Sequence, residues 1–138
     1  MYYIKSIMKN TIFKLTEYVY YFSLLVLLIL YLFPGSLIGY FLYGNLGQQP
    51  NLITNPFGTS INHLIFFSYI TVLAIIVRFR IKNIFTNYLF ILFISCALEI
   101  LHFIVPNRAF ELYDLLANFT GVVIILLINS FIKWQKQL

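Results

Sequence analysis

Charged side chains are scarce in this sequence. Only 9% of the 138 residues are charged and 62% are hydrophobic, whereas a soluble domain has about 25% charged residues. This shortage excludes a soluble globular domain, a disordered chain and a nucleic-acid-binding module. Lys and Arg exceed Asp and Glu by nine to four, a net charge of +5. On so apolar a chain, that excess indicates membrane orientation rather than an anionic partner.

The sequence also lacks the usual signals of an enzyme. Its one cysteine forms neither an internal disulfide nor a thiolate metal cage. We find no glycine-rich phosphate loop, and no serine or cysteine nucleophile with a convincing base beside it. The enzyme signal is therefore weak.

Long stretches contain no charged residue at all, namely 18–77, 83–98 and 115–132. A spanning helix needs about 20 mostly apolar residues, and continuously apolar runs do not fit the alternating strands of a barrel. We therefore predict an all-α transmembrane bundle of four helices. The helices are predicted at about residues 16–34, 62–79, 84–104 and 111–132.

Basic residues gather at one end of the predicted bundle. They precede the first helix, fill the connection between the second and third, and follow the fourth. They are Lys5, Lys9, Lys14, Arg78, Arg80, Lys82, Lys133 and Lys136. Because an even number of spans brings them all to one side, the positive-inside rule places both termini in the cytoplasm. Arg108 alone lies on the other side.

The N-terminal segment, residues 1–17, has a basic amphipathic pattern. Apolar residues from Ile4 to Leu15 share one helical face and the lysines lie away from it, so we expect this segment in the inner headgroup region. The following apolar run is too long for a cleaved signal peptide. Residues 18–133 are predicted as a single transmembrane domain, with an external loop at residues 44–60.

The informative residues are the few polar groups in the non-cytoplasmic half. They are His63, Glu99, His102, Arg108, Asp114 and Asn118, with Gly121 on the same face as the last two. Such groups usually face the interior of a membrane protein and find a partner, since a central charge costs about 2.5–3.5 kcal/mol on insertion scales. We expect Arg108 to pair with Glu99. Three chain segments bring these groups to one leaflet, which predicts a binding site.

These residues also have structural interpretations, which the sequence leaves open. Asp114 suits the N-terminus of the last helix, and Asn118 suits an interhelical hydrogen bond. His63 suits an interfacial position, and Gly121 allows close helix packing.

Metal chemistry is limited by the number of ligands. Glu99-x-x-His102 resembles half of a di-iron site, which needs a second such motif and two further glutamates. The chain has four acidic residues and two histidines, so di-iron is rejected. The chain does contain enough ligands for a single zinc ion bound by His63, His102 and one carboxylate. Our prediction is nevertheless that the protein has no metal and no cofactor.

The segment E-I-L-H-F-I-V-P-N-R-A-F-E-L-Y-D-L-L-A-N-F-T-G, residues 99–121, resembles the VanZ-like family. The matching residues keep a fixed spacing across a helix–turn–helix and are Glu99, Pro106, Arg108, Asp114, Asn118 and Gly121. His102 stands where the family often has Gln. Upstream, His63 matches, but Thr59 and Ser60 replace an Asp-Lys pair.

The resemblance implies a small multi-pass protein of the bacterial cytoplasmic membrane. The founding members of the family are linked to resistance against teicoplanin, a glycopeptide that acts at the outer face of that membrane. No settled biochemical activity comes with the family name. The resemblance therefore implies a location and a cellular context rather than a reaction.

Three functions are consistent with these residues. The first, which we favour, is binding or modulation of a cell-envelope component at the outer face: a lipid headgroup, a lipid-linked precursor or a membrane protein partner. Arg108 would contact the anion, Asp114 and Glu99 would hold Arg108, and Asn118 would donate a hydrogen bond. The second is a purely structural role for the helical hairpin. The third is a membrane enzyme acting on a lipid-linked precursor, with Glu99 or His102 as the catalytic acid or base.

Overall fold

The computed structural model describes residues 2–50, 58 and 60–137, with side chains described from Asn10 onward. Within that part of the chain there are five helices and no strand, which confirms the predicted all-α class. The helices are α1 (Tyr2–Leu32), α2 (Leu37–Tyr43), α3 (Ser60–Arg78), α4 (Tyr88–Leu101) and α5 (Leu112–Gln135).

Three helices in the described part are long and apolar enough to cross a membrane. They are Asn10–Leu32 within α1, Ser60–Arg78 and Leu112–Gln135. The apolar helix α4 has only 14 residues. At about 1.5 Å per residue it is about 21 Å long, less than the hydrocarbon thickness of about 30 Å. The bounds predicted for this helix, 84–104, are therefore wrong at both ends.

Local polar residues explain the shorter α4. Asn87 is its N-cap, and the Asn87 side chain accepts a backbone N–H of the first turn at 3.0 Å. Just before it, Thr86 and Asn83 bond to each other's backbone and form a turn. After Leu101 the backbone continues in turns, and Asn107 adopts a left-handed conformation with φ of 57°, which Asn tolerates better than most residues.

The N-terminal segment is continuous with the first long helix, since α1 runs without a break from Tyr2 to Leu32. Its placement in the inner headgroup region stays a prediction. The predicted loop at 44–60 lies largely outside the described residues. Before it, the chain folds back over α2: a Cβ on Gly39 would lie 1.6 Å from the carbonyl oxygen of Gln48, so only glycine permits this approach.

The apolar core contains residues of α1, α3, α4 and α5. Helices α3 and α5 pack closest, because Gly121 lies against the α3 backbone; a Cβ there would be 2.6 Å from the carbonyl oxygen of Leu64. Fully buried side chains of the core include Tyr20, Leu27, Phe67, Ile70, Ile91 and Val122.

The ends of α1, α3, α4 and α5 gather on two sides of the structure, which we call the site end and the basic end. At the site end, Ser60 at the start of α3 contacts Asp114 at the start of α5, and Arg108 contacts the last turn of α1. At the basic end, Arg78 of α3 donates to the backbone just before α4, and Arg80 donates to the side chain of Asn10 on α1.

Candidate functional site

All six polar residues predicted as a site lie at the site end, and five of them form one group, while the sixth, Arg108, contacts the end of α1. With two further residues those five form the polar cluster, whose members are Tyr31, Ser60, His63, Glu99, His102, Asp114 and Asn118. All of them except His63 are buried. The cluster therefore joins α1, α3, the end of α4 and α5 through polar side chains.

Helical spacing explains why two pairs of these side chains each share one helix face. Glu99 and His102 are three residues apart at the end of α4, and Asp114 and Asn118 are four residues apart at the start of α5. Both spacings place two side chains on one helix face. The packing of α3 against α5 then brings His63 to both pairs.

The Asp114 carboxylate reaches across to α3. Its Oδ1 accepts a hydrogen bond of 2.5 Å from the Ser60 hydroxyl, and its Oδ2 lies 3.3 Å from Nε2 of His63. The N-cap of α5 is Glu111, which makes no side-chain cap bond. Asp114 lies in the first turn, where the helix dipole favours it, but its recorded contacts are with α3.

The Glu99 carboxylate is completely buried, with 0% exposure. Its Oε1 accepts the backbone N–H of Glu111 at 3.1 Å and contacts Nδ1 of His102 at 3.1 Å. Its Oε2 lies 3.8 Å from Nδ1 of His63, beyond hydrogen-bond distance, and has no hydrogen-bond partner among the described residues. A buried polar atom without a partner costs about 1–3 kcal/mol, more for a charged group.

Both ring nitrogens of His102 are engaged. Nε2 lies 3.2 Å from the backbone carbonyl of Tyr31; because a carbonyl only accepts, Nε2 carries the hydrogen. The contact between Nδ1 and Glu99 Oε1 therefore needs a second proton, on one of those two atoms. The imidazole also stacks on the Tyr31 ring, with centroids 5.5 Å apart.

Tyr31 links His63 to α5. Its hydroxyl donates to Oδ1 of Asn118 at 2.8 Å and lies 2.7 Å from Nδ1 of His63. Since the hydroxyl has a single hydrogen, Nδ1–H of His63 is the donor to Tyr31. Nδ2 of Asn118 has no hydrogen-bond partner among the described residues.

Arg108 does not form the predicted pair with Glu99. Its Nη2 donates to the carbonyl of Leu30 at 2.6 Å and its Nε to that of Phe33 at 3.4 Å, carbonyls that the end of a helix leaves without intrahelical partners. Among the described residues, the ion pairs within 4.0 Å join histidines to carboxylates and do not include Arg108.

The electrostatic environment of Arg108 has two opposing parts. Burial lowers the pKa of its guanidinium below the usual value, and longer-range attraction to Glu99 and Asp114 offsets this only in part. The carboxylates therefore act on Arg108 at a distance instead of holding it by direct contact.

An open pocket of about 110 Å³ adjoins the polar cluster. Its polar lining residues include Tyr31, His63, His102 and Arg108. Its apolar lining residues include Leu27, Leu30, Leu37 and Phe66. Glu99 and Asp114 are not among the lining residues, so the carboxylates lie behind the histidines.

Two cluster residues, Tyr31 and Ser60, were not found from the sequence. Tyr31 lies near the end of an apolar helix, where a tyrosine is typical of any membrane interface. Ser60 was noted only as a departure from the VanZ-like pattern, at the position of a charged residue. Neither carries a local signal that separates it from the other tyrosines and serines.

Comparison of the chain with family models, curated proteins and solved structures found no match. The resemblance to the VanZ-like family therefore stays a prediction that rests on the residues from Glu99 to Gly121.

Proposed function

We propose that this protein binds an amphiphilic anion of the cell envelope, a lipid or lipid-linked precursor, at the outer face of the bacterial cytoplasmic membrane. The pocket carries this proposal. Arg108 lines it together with apolar side chains such as Leu30 and Phe66. An anionic headgroup attached to a hydrocarbon chain would find a cation and apolar contacts in the same pocket.

The Arg108 guanidinium is suited to a phosphate. It has five N–H donors in a planar fork. The carbonyls of Leu30, in the last turn of α1, and Phe33, just after α1, accept bonds from Nη2 and Nε. Its Nη1 makes no hydrogen bond to the described residues. Those two bonds hold the side chain in place, and a held donor loses less entropy on binding than a mobile one.

The proposal includes a topology. α1, α3, α4 and α5 cross the membrane as a four-helix bundle, and both termini are cytoplasmic. Support comes from the two ends of the structure: Arg78 and Arg80 lie at the basic end and Arg108 at the site end. Turns on both sides of α4 extend its path, so the short helix connects the same two ends as its neighbours.

An enzyme is less well supported by the same geometry. Glu99 does not line the pocket, and both nitrogens of His102 are already engaged. A general base must reach the proton that it removes. The binding function needs no such free base. Glycopeptide resistance, implied by the VanZ-like resemblance, remains part of the proposal as its cellular context.

A structural role is the second candidate, and the bonds from Arg108 to α1 favour it. A binding role and a structural role can be distinguished with the variant Arg108→Gln. Its matched control is Arg80→Gln at the basic end. Native mass spectrometry would count phosphatidylglycerol, isoprenoid phosphate and phosphatidylcholine retained by the purified protein, with circular dichroism as a folding check.

We expect Arg108→Gln to weaken binding of an anionic lipid about tenfold or more, since a charge-assisted hydrogen bond contributes about 1.5–3 kcal/mol, while Arg80→Gln binds normally. Preference for isoprenoid phosphate over phosphatidylglycerol would identify a lipid-linked precursor as the ligand class. If Arg108→Gln melts at a lower temperature yet keeps full lipid affinity, the binding proposal is wrong and the structural role is correct.

A further inference from the structure

Three side chains of the polar cluster have the composition and spacing of a metal site. His63, Glu99 and Asp114 each present one ligand atom, and these atoms all lie within 4.8 Å of one another. They come from three different helices, so the spacing arises from packing rather than from a local motif. We propose that His63, Glu99 and Asp114 bind a divalent transition-metal cation, with Zn²⁺ as the best fit.

The unpartnered oxygen of Glu99 is an independent reason. Oε2 is buried in a residue with 0% exposure and has no hydrogen-bond partner among the described residues. It is directed at the ring of His63, at 3.8 Å from Nδ1. A bound cation would provide the missing partner, since buried charges in proteins are paired or coordinate metals.

One oxygen of each carboxylate is held by hydrogen bonds, as is usual for a carboxylate that binds a metal. Oε1 of Glu99 accepts from the Glu111 backbone and contacts His102, and Oδ1 of Asp114 accepts from Ser60. Each carboxylate thus has one oxygen held by other groups. The second oxygen of Asp114 lies 3.3 Å from Nε2 of His63, and that of Glu99 lies 3.8 Å from Nδ1 of the same ring. Ligating carboxylates are themselves hydrogen-bonded in this manner, which orients them before the metal arrives.

His63 presents the correct nitrogen. Its Nδ1–H donates to the Tyr31 hydroxyl at 2.7 Å, which in a singly protonated ring leaves the lone pair on Nε2. Ligating histidines usually donate their other N–H to a fixed acceptor. Nε2 lies 3.3 Å from Oδ2 of Asp114. Two ligands about 2.1 Å from a tetrahedral Zn²⁺ are about 3.4 Å apart, so this pair already has the required separation.

The donor set and the charges favour zinc. One imidazole and two carboxylates suit Zn²⁺, which takes three protein ligands and keeps an open fourth position in catalytic sites; Mg²⁺ prefers oxygen ligands and water. Arg108 makes no ion pair within 4.0 Å with either carboxylate in the described part. His63 also lines the pocket, which provides a path for the ion. The site does not depend on the lipid proposed above.

The structure changes the ligand set considered from the sequence. The number of ligating residues in the sequence allows a zinc bound by His63, His102 and one carboxylate, and the prediction from the sequence is that the protein has no metal. In the structure both nitrogens of His102 are engaged, so His102 orients Glu99 and the second carboxylate takes its place among the ligands.

The direct test is isothermal titration calorimetry with Zn²⁺. The protein is purified in detergent without a tag and is treated with a chelator beforehand. We expect one Zn²⁺ per chain. Asp114→Asn and Glu99→Gln should each weaken Zn²⁺ binding at least about tenfold, because loss even of an outer-shell partner costs about 10–100-fold. The matched control is Glu17→Gln, which removes a carboxylate of α1 outside the polar cluster and should bind Zn²⁺ normally.

A second measurement needs only the wild-type protein, in case a variant folds poorly. Co²⁺ should produce the visible absorption bands of a four-coordinate site, and Zn²⁺ but not Mg²⁺ should remove them. Zn²⁺ should also raise the melting temperature of the wild type. Absence of stoichiometric Zn²⁺ in the wild type, or equal binding by folded Asp114→Asn, would overturn the proposal. Neither result would affect the Arg108 lipid test, so the two proposals fail separately.

Discussion

At the scale of single residues, the site end combines two features that usually destabilise a membrane protein. Oε2 of Glu99 and Nδ2 of Asn118 are buried and have no hydrogen-bond partner in the described part of the chain. Most buried polar atoms in native structures are hydrogen-bonded. An unsatisfied atom that a folded protein keeps is typical of a binding or catalytic position, and both atoms lie in the polar cluster.

Tyr31→Phe tests how the cluster is held together. The change removes the hydroxyl that donates to Asn118 and accepts from His63, and the cavity of one oxygen atom is small. We expect a loss of about 1–2 kcal/mol in the free energy of unfolding, measured by titration with denaturing detergent. Tyr18→Phe is the control, because Tyr18 is 72% exposed on the same helix. Equal stability of the two variants would show that the Tyr31 hydroxyl contributes nothing.

At the scale of elements, the polar cluster is made from helix ends. α3 and α5 begin there and α1 and α4 end there, so backbone N–H groups and carbonyls without intrahelical partners are close to the side chains. Arg108 donates to the carbonyls at the end of α1, and the backbone N–H of Glu111 donates to Glu99. His102 is the C-cap of α4 and keeps helical dihedral angles, so it lies on the same face as Glu99.

Gly121→Ala tests the contact on which the site depends. The new Cβ would lie 2.6 Å from the carbonyl oxygen of Leu64 and 3.2 Å from the Ser68 backbone N, so α3 and α5 must separate. Overpacking of this kind costs about 1–3 kcal/mol, and we expect less folded protein and a lower melting temperature.

The control for that change is Gly47→Ala, where the nearest atom to a new Cβ is 3.4 Å away. Gly47→Ala should leave the melting temperature unchanged. If Gly121→Ala is as stable as Gly47→Ala, the close approach of α3 and α5 is not required for folding.

At the scale of the whole molecule, charge separates the two ends. The basic end carries Arg78 and Arg80, which lie over the rings of Tyr88 and Phe13. The site end carries the polar cluster, with its carboxylates Glu99 and Asp114, and Arg108. Positive charge near helix ends orients membrane proteins, so this asymmetry supports a cytoplasmic basic end and an outward-facing pocket.

Single-cysteine labelling tests that topology. In a Cys96→Ala background, which removes the only cysteine, we expect Arg80→Cys and Gln137→Cys to react with a membrane-impermeant maleimide only after the cells are opened. Asn107→Cys should react in intact cells. Labelling of Asn107→Cys and Arg80→Cys from the same side would show that α4 does not cross the membrane.

Much of the architecture follows from local composition. Runs without charge predicted the long helices, because hydropathy is a property of consecutive residues, and α3 and α5 begin within two residues of the predicted positions. The ends of α4 were misplaced because side-chain caps at Asn87 and turns after Leu101 interrupt an apolar run that hydropathy reads as continuous. The prediction from the sequence also divides residues 1–17 from the first transmembrane helix, whereas α1 runs without a break from Tyr2 to Leu32.

The sequence by itself determined that the chain is helical and apolar enough for a membrane, and that its few polar residues gather towards one end. Only the tertiary structure decided which of them touch. Helical spacing relates Glu99 to His102 and Asp114 to Asn118, but the distance from either pair to His63 depends on how α3 packs against α4 and α5. For the same reason the partner of Arg108 is the end of α1 rather than Glu99. Contacts between helices depend on packing, and periodicity along one helix does not encode them.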